Sequence, residues 1–217
     1  LDWPLRKAWL LHLAQKKQAK QFLQFYQPTA NVELSCYFYR FQLQTGMPEK
    51  VVFPQVTKLW TVGKSQDKVC DPLFEGWQQA GYRTNDVIWQ RIALAADGGK
   101  HTLIPYLTTL LPTEEQYLAT LWHKVRKDPS LVSKLKYFPN KSSKETQILA
   151  YGLKRLIWRY PDTAIKSYEQ AQKKFFFSTA QQQQINAKFA VALSAKNHSK
   201  ARQWLDKLDI YTLSTNM

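Results

Sequence analysis

The sequence predicts an all-α protein, an irregular α-solenoid in which antiparallel helical hairpins stack into a superhelix. Three observations predict it. Apolar residues recur at helical spacing in segment after segment, and no period-two run is long enough for a strand. The 7 Gly and 10 Pro fall mostly at the ends of those segments, where helices stop and start. Helix pairs recur roughly every 30–35 residues, the spacing of solenoid repeats, although no tetratricopeptide consensus is met. Stacked hairpins bury a continuous core, so one domain over residues 1–217 is expected.

The elements follow in order. Asp2 and Pro4 suit the start of a first helix carrying Leu5, Ala8, Trp9 and His12. Residues 19–26 form a second, with Phe22, Leu23 and Tyr26 on one face, ended by Pro28. Asn31 begins a third, which groups Leu34, Phe38 and Phe41, leaves Cys36 on a flank and ends at Gly46. The fourth covers residues 47–61 on the stripe Val52, Val56, Leu59 and Trp60. Pro54 lies inside it, so the helix is expected to start there or to kink. Gly63 reads as its left-handed stop. Asp71 reads as the cap of the fifth helix, with Pro72 in its first position, Phe74 and Trp77 on one face, and Gly81 at its end. Asn85 or Asp86 starts the sixth, which turns Ile88, Ile92 and Ala95 inward.

Gly98-Gly99 breaks the chain, and a short helix over residues 103–111 is interrupted by Pro105. Glu114 and Glu115 then sit in the first turn of a helix, where the dipole favours them, ahead of Leu118, Leu121 and Val125. Asp128-Pro129-Ser130 is expected to cap a further helix with Leu131, Leu135 and Phe138. Ser142 or Ser143 opens a long one through Leu149, Leu153 and Leu156. Asp162, Ser178 and Asn197 start the last three, and residues 210–217 carry no period and are expected to fray.

The net charge is +15, a field that attracts polyanions: nucleic acid, an anionic membrane surface or an acidic cell-wall polymer. The lysines are spread over many helices, which favours a solvated basic face over a dedicated nucleic-acid site, so no nucleic-acid partner is expected. No run of about twenty apolar residues exists, so no transmembrane segment is expected. The chain starts at Leu1 with neither Met nor a visible signal peptide and reads as a fragment. The cysteines, Cys36 and Cys70, form no CxxC pair, which argues against a zinc site; a disulfide and two buried thiols both stay open.

Catalytic chemistry finds no residues. His12, His101, His123 and His198 have no metal-ligand spacing, and no Gly-rich phosphate loop is present. No catalytic, cofactor-binding or metal residue is assigned, and no cofactor is expected. Trp60, Trp77, Trp89 and Trp158 have flat faces that suit sugar rings, but their spacing beside Leu and Ile favours a core role.

Residues 59–95 hold the most specific pattern: Leu59-Trp60, Gly63-Lys64-Ser65-Gln66, Cys70-Asp71, Leu73-Phe74, Trp77, Ala80-Gly81, Arg91-Ile92 and Leu94-Ala95. This ordered set resembles the superhelical region of the soluble lytic murein transglycosylases, and the likeness extends weakly upstream through residues 36–39 and 45–46. The resemblance implies a U-shaped superhelix, a Cys36–Cys70 disulfide, the periplasm, and peptidoglycan glycan strands or muropeptides as partners of a monomeric enzyme. It also implies a reaction. One glutamate protonates the glycosidic oxygen between N-acetylmuramic acid and N-acetylglucosamine, then takes the proton of the muramyl 6-hydroxyl, which closes a 1,6-anhydro ring. The family marks that residue with a Glu-Ser pair and with Gly-Leu-Met-Gln and Ala-Tyr-Asn runs. No Glu of this chain precedes a Ser, and Gly152-Leu153-Lys154 lacks the Met-Gln. The catalytic domain is therefore expected beyond Met217, which leaves the chain as a non-catalytic scaffold. The alternative is an α-solenoid adaptor that holds a protein or RNA partner through its positive charge.

Overall fold

The computed structural model describes residues 3–208; the expectations at Asp2 and at residues 210–217 lie outside the described residues. The fold is all-α, with no strand among the described residues. Consecutive helices pack on one another, as in an irregular α-solenoid, within two compact units, Leu1–Pro112 and Thr113–Met217.

The first unit contains α1 (Trp3–Gln15), α2 (Ala19–Phe25), α3 (Val32–Gln44), α4 (Glu49–Trp60), α5 (Asp71–Gln79), α6 (Asn85–Ala96) and α7 (Ile104–Thr109). Its first three helices close on Leu10, Leu13, Phe22, Leu34 and Phe41, with Tyr26 stacked on Phe38 at a ring separation of 4.1 Å. Asn31 caps α3 as its sequence position requires, its side chain accepting from the Leu34 amide. A 3-10 turn, Lys68–Cys70, leads into α5, and Cys70 is joined to Cys36 of α3 with the Cα atoms 5.2 Å apart.

Several local expectations change. Helix α4 starts at Glu49 and runs through Pro54, so the proline is not its beginning. Gly63 does not adopt the left-handed conformation. It is needed for space: a Cβ there would overlap the Leu94 carbonyl, and one on Gly99 would overlap the Gly63 carbonyl. Those segments are tied by the Lys100 amide, which donates to the Gly63 carbonyl at 2.7 Å. Asp67, not Asp71, supplies the capping oxygen before α5, and Asp71 occupies the first helical turn. Thr84 caps α6, accepting from the Val87 amide. Pro105 lies in the first turn of α7 and interrupts nothing, because its missing N–H has no helical partner to lose there.

The second unit contains α8 (Thr113–Lys127), α9 (Ser143–Leu156), α10 (Pro161–Gln172), α11 (Thr179–Ala195) and α12 (Ala201–Leu205). Helix α9 is its hub, packing on α8, α10 and α11. Gly152 gives α9 a smooth spot on which Val125 and Val132 press; a Cβ there would overlap both. Tyr168, Phe189 and Trp204 bind the last three helices, with ring separations of 4.8 to 5.9 Å. Ser178 and Gln181 form a reciprocal capping box at the start of α11. The α-helix expected after Asp128 is two short 3-10 segments, Pro129–Ser133 and Leu135–Tyr137. Asp128 takes the amide and hydroxyl of Ser130, which favours a tight turn over a continuing helix. The last helix starts at Ala201, not at Asn197, whose φ of 50° ends the preceding one.

Candidate functional site

Several residues of the 59–95 pattern line a cavity of about 350 Å³ in the first unit. Trp60 from α4, Asp71, Phe74, Glu75 and Trp77 from α5, Arg91 from α6 and Tyr106 from α7 line it, with Ser65, Gln66 and Arg83 from the connecting loops. Trp77 is fully buried and its indole N–H donates to the Thr57 hydroxyl at 2.9 Å, which fixes the ring that faces Trp60 at 5.3 Å.

Arg91 is the unusual member. It lies on the apolar face of α6 beside Ile88, Ile92 and Ala95, with only 5% of its surface exposed. Its guanidinium sits 4.2 Å from the centre of the Trp60 ring, and Nη2 donates to the Lys64 carbonyl at 2.9 Å. Its Nε is buried without a hydrogen-bond partner. Burial pushes the guanidinium down to about 10, with the Tyr106 hydroxyl opposing that shift. Arg91 thereby anchors the loop after α4 while presenting a desolvated cation to the cavity.

The other residues weighed in the sequence fall elsewhere. Trp60, Trp77 and Trp89 are buried, Trp60 and Trp77 also lining the cavity, while Trp158 is partly exposed with the Lys188 ammonium over its ring at 5.6 Å. His12 stacks on Trp9, and His198 stands 3.4 Å from Asp162. Among the described residues no three His, Cys, Asp or Glu side chains are grouped to hold a metal. Glu145, one residue in a helix start, is fully buried, and neither carboxylate oxygen has a hydrogen-bond partner. Its oxygens are sealed from solvent, so a glycan cannot reach them. No described helix is long and apolar enough to cross a membrane.

The chain is an all-α array of packed helices, and the proteins it is similar to are lytic transglycosylases. The chain is 29% identical to the soluble lytic murein transglycosylase of Salmonella typhimurium over 129 residues, 59% of this chain and 20% of that protein. It is 27% identical to the one of Escherichia coli K12 over the same shares. A solved lytic transglycosylase from Pseudomonas aeruginosa, an inactive variant, superposes with a TM-score of 0.85 at 28% identity, over 94% of this chain and 33% of that one. The 70-kDa soluble lytic transglycosylase in complex with bulgecin A has the same fold, with a TM-score of 0.69 at 23% identity over the same shares. No family model matches the chain. The chain is similar to the soluble lytic transglycosylases in sequence and fold, and spans about a fifth of the length of the curated relatives and a third of the solved ones.

Proposed function

We propose that this chain is the non-catalytic superhelical scaffold of a periplasmic lytic transglycosylase and works beside a catalytic domain on peptidoglycan strands or muropeptides. The observation that carries the reading is the superposition of 94% of the chain on a third of a solved lytic transglycosylase. The chemistry is consistent with a scaffold. Acid/base cleavage needs a carboxyl group that is both partly desolvated and within reach of the glycosidic oxygen. Asp71, Asp86, Glu114 and Asp162 lie exposed in first helical turns, open to water and not desolvated. Glu145 is desolvated but out of reach. The net charge of +15 gives the scaffold attraction for anionic muropeptides.

Incubation of the purified chain with sacculi tests the proposal. The chain is expected to sediment with them at low salt and to release no 1,6-anhydromuropeptides. Anhydro products above a no-enzyme control, lost on substitution of one of these carboxylates, overturn the scaffold role. Absence of sedimentation together with steep salt-dependent RNA binding overturns the cell-wall role in favour of an adaptor.

A further inference from the structure

We propose that the cavity between α4, α5, α6 and α7 is a binding site for a ligand carboxylate, which seats on the guanidinium of Arg91 with Arg83 as a second cation. A buried cation is ordinarily paired or fully hydrogen-bonded, because taking it out of water is costly. Arg91 has only neutral company, the Lys64 carbonyl and the face of Trp60; its Nε is sealed from solvent, which leaves the terminal Nη1–Nη2 edge to meet a ligand. Asp71 and Glu75 line the same cavity, but neither forms an ion pair with Arg91. A planar fork fixed against an aromatic face is preorganised for a carboxylate, whose two oxygens accept two parallel N–H bonds. The cavity holds a ligand of monosaccharide or dipeptide size, small among ligand pockets. The same lining specifies the rest of that ligand: Asp71 and Glu75 accept from its hydroxyl or amide donors, and Phe74 and Tyr106 offer apolar contact.

The choice of carboxylate source rests on the cell-wall reading above. Two sources share the chemistry: the lactyl group of N-acetylmuramic acid and the C-terminus of a stem peptide such as D-alanyl-D-alanine. The test is a titration of the 217-residue chain, followed through the Trp60 indole ¹H–¹⁵N resonance. N-acetylmuramic acid or D-alanyl-D-alanine should shift it saturably, the one that does so naming the source, while N-acetylglucosamine, which lacks the carboxylate, leaves it in place. Arg83→Gln, at the half-buried rim, should weaken binding by about ten-fold or more, the usual loss for a hydrogen bond to a charged group. Arg91→Lys keeps the charge and loses the fork, and should weaken binding too, with an unchanged circular dichroism spectrum showing that the fold persists. A shift by acetate alone, lost in Arg83→Gln, upholds the site and removes the cell-wall source, which sedimentation with sacculi tests separately. Equal shifts from both sugars, or no shift with any carboxylate including acetate, overturn the proposal.

Discussion

Reduction of the Cys36–Cys70 bridge should destabilise the first unit strongly. The bridge closes a loop of 34 residues, and both cysteines are fully buried. In the chain-entropy account, opening a loop of that length frees enough unfolded-state entropy to cost about 4 kcal/mol. Each kcal/mol moves the melting temperature of a domain of roughly 100 residues by about 4 °C, so a fall of about 15 °C is expected. The effect should reach the cavity as well, because Asp71 follows Cys70 directly and lines it. Thermal unfolding followed by circular dichroism, with and without reductant, measures the change, and the Cys36→Ser/Cys70→Ser double variant should be insensitive to reductant. Melting curves within about 3 °C of each other would refute the reasoning, since the entropy term would then be missing almost entirely. So would two thiols titrated in the denatured, unreduced chain.

Two further perturbations address the second unit. Gly152→Ala should lower stability by about 1–2 kcal/mol in urea unfolding, because overpacking against Val125 and Val132 outweighs the gain of about 1 kcal/mol in helix propensity. Those valines are buried and β-branched, so their methyls have little freedom to turn away; adding Val132→Ala should recover part of the loss, and a more stable single variant would contradict the packing. At Asp128, the hydrogen bonds from the Ser130 hydroxyl and then its amide hold the carboxyl below its usual range. Its stabilisation is therefore full above the unfolded value of about 3.9 and is lost as pH falls through the folded value. Melting temperatures across the acid range should fall less steeply in Asp128→Asn; identical slopes would show that the group is not linked to folding.

The helices were legible because their apolar stripes and caps are local. Asn31, Ser142 and Ser178 each cap the helix that their chemistry announces. Residues 129–137 were not legible: Leu131, Leu135 and Phe138 keep a helical spacing, yet short 3-10 turns satisfy it while Phe138 is buried. Gly63 looked like a helix stop, since sequence does not distinguish a glycine chosen for its φ from one chosen for lacking a Cβ. The cavity was half visible. Most of its lining falls within residues 59–95, with Leu103 and Tyr106 outside that stretch, and the pattern names Arg91 without marking it as buried. The signal was its place on α6, in phase with Ile88, Ile92 and Ala95, where a charge is out of keeping with an apolar face.

The meeting of Gly63, Leu94 and Gly99 carries a consequence for how such chains vary. Connecting loops usually absorb insertions and deletions freely. Here the loop after α4 is fastened at consecutive residues, the Gly63 carbonyl by the Lys100 amide and the Lys64 carbonyl by Arg91. One added residue between Trp60 and Cys70 would move either the carbonyls away from their donors or the disulfide away from α3. The turn between α1 and α2, residues 16–18, hydrogen-bonds only locally to the end of α1 through its amides, so length changes should accumulate there while the stretch from 59 to 100 stays of one length.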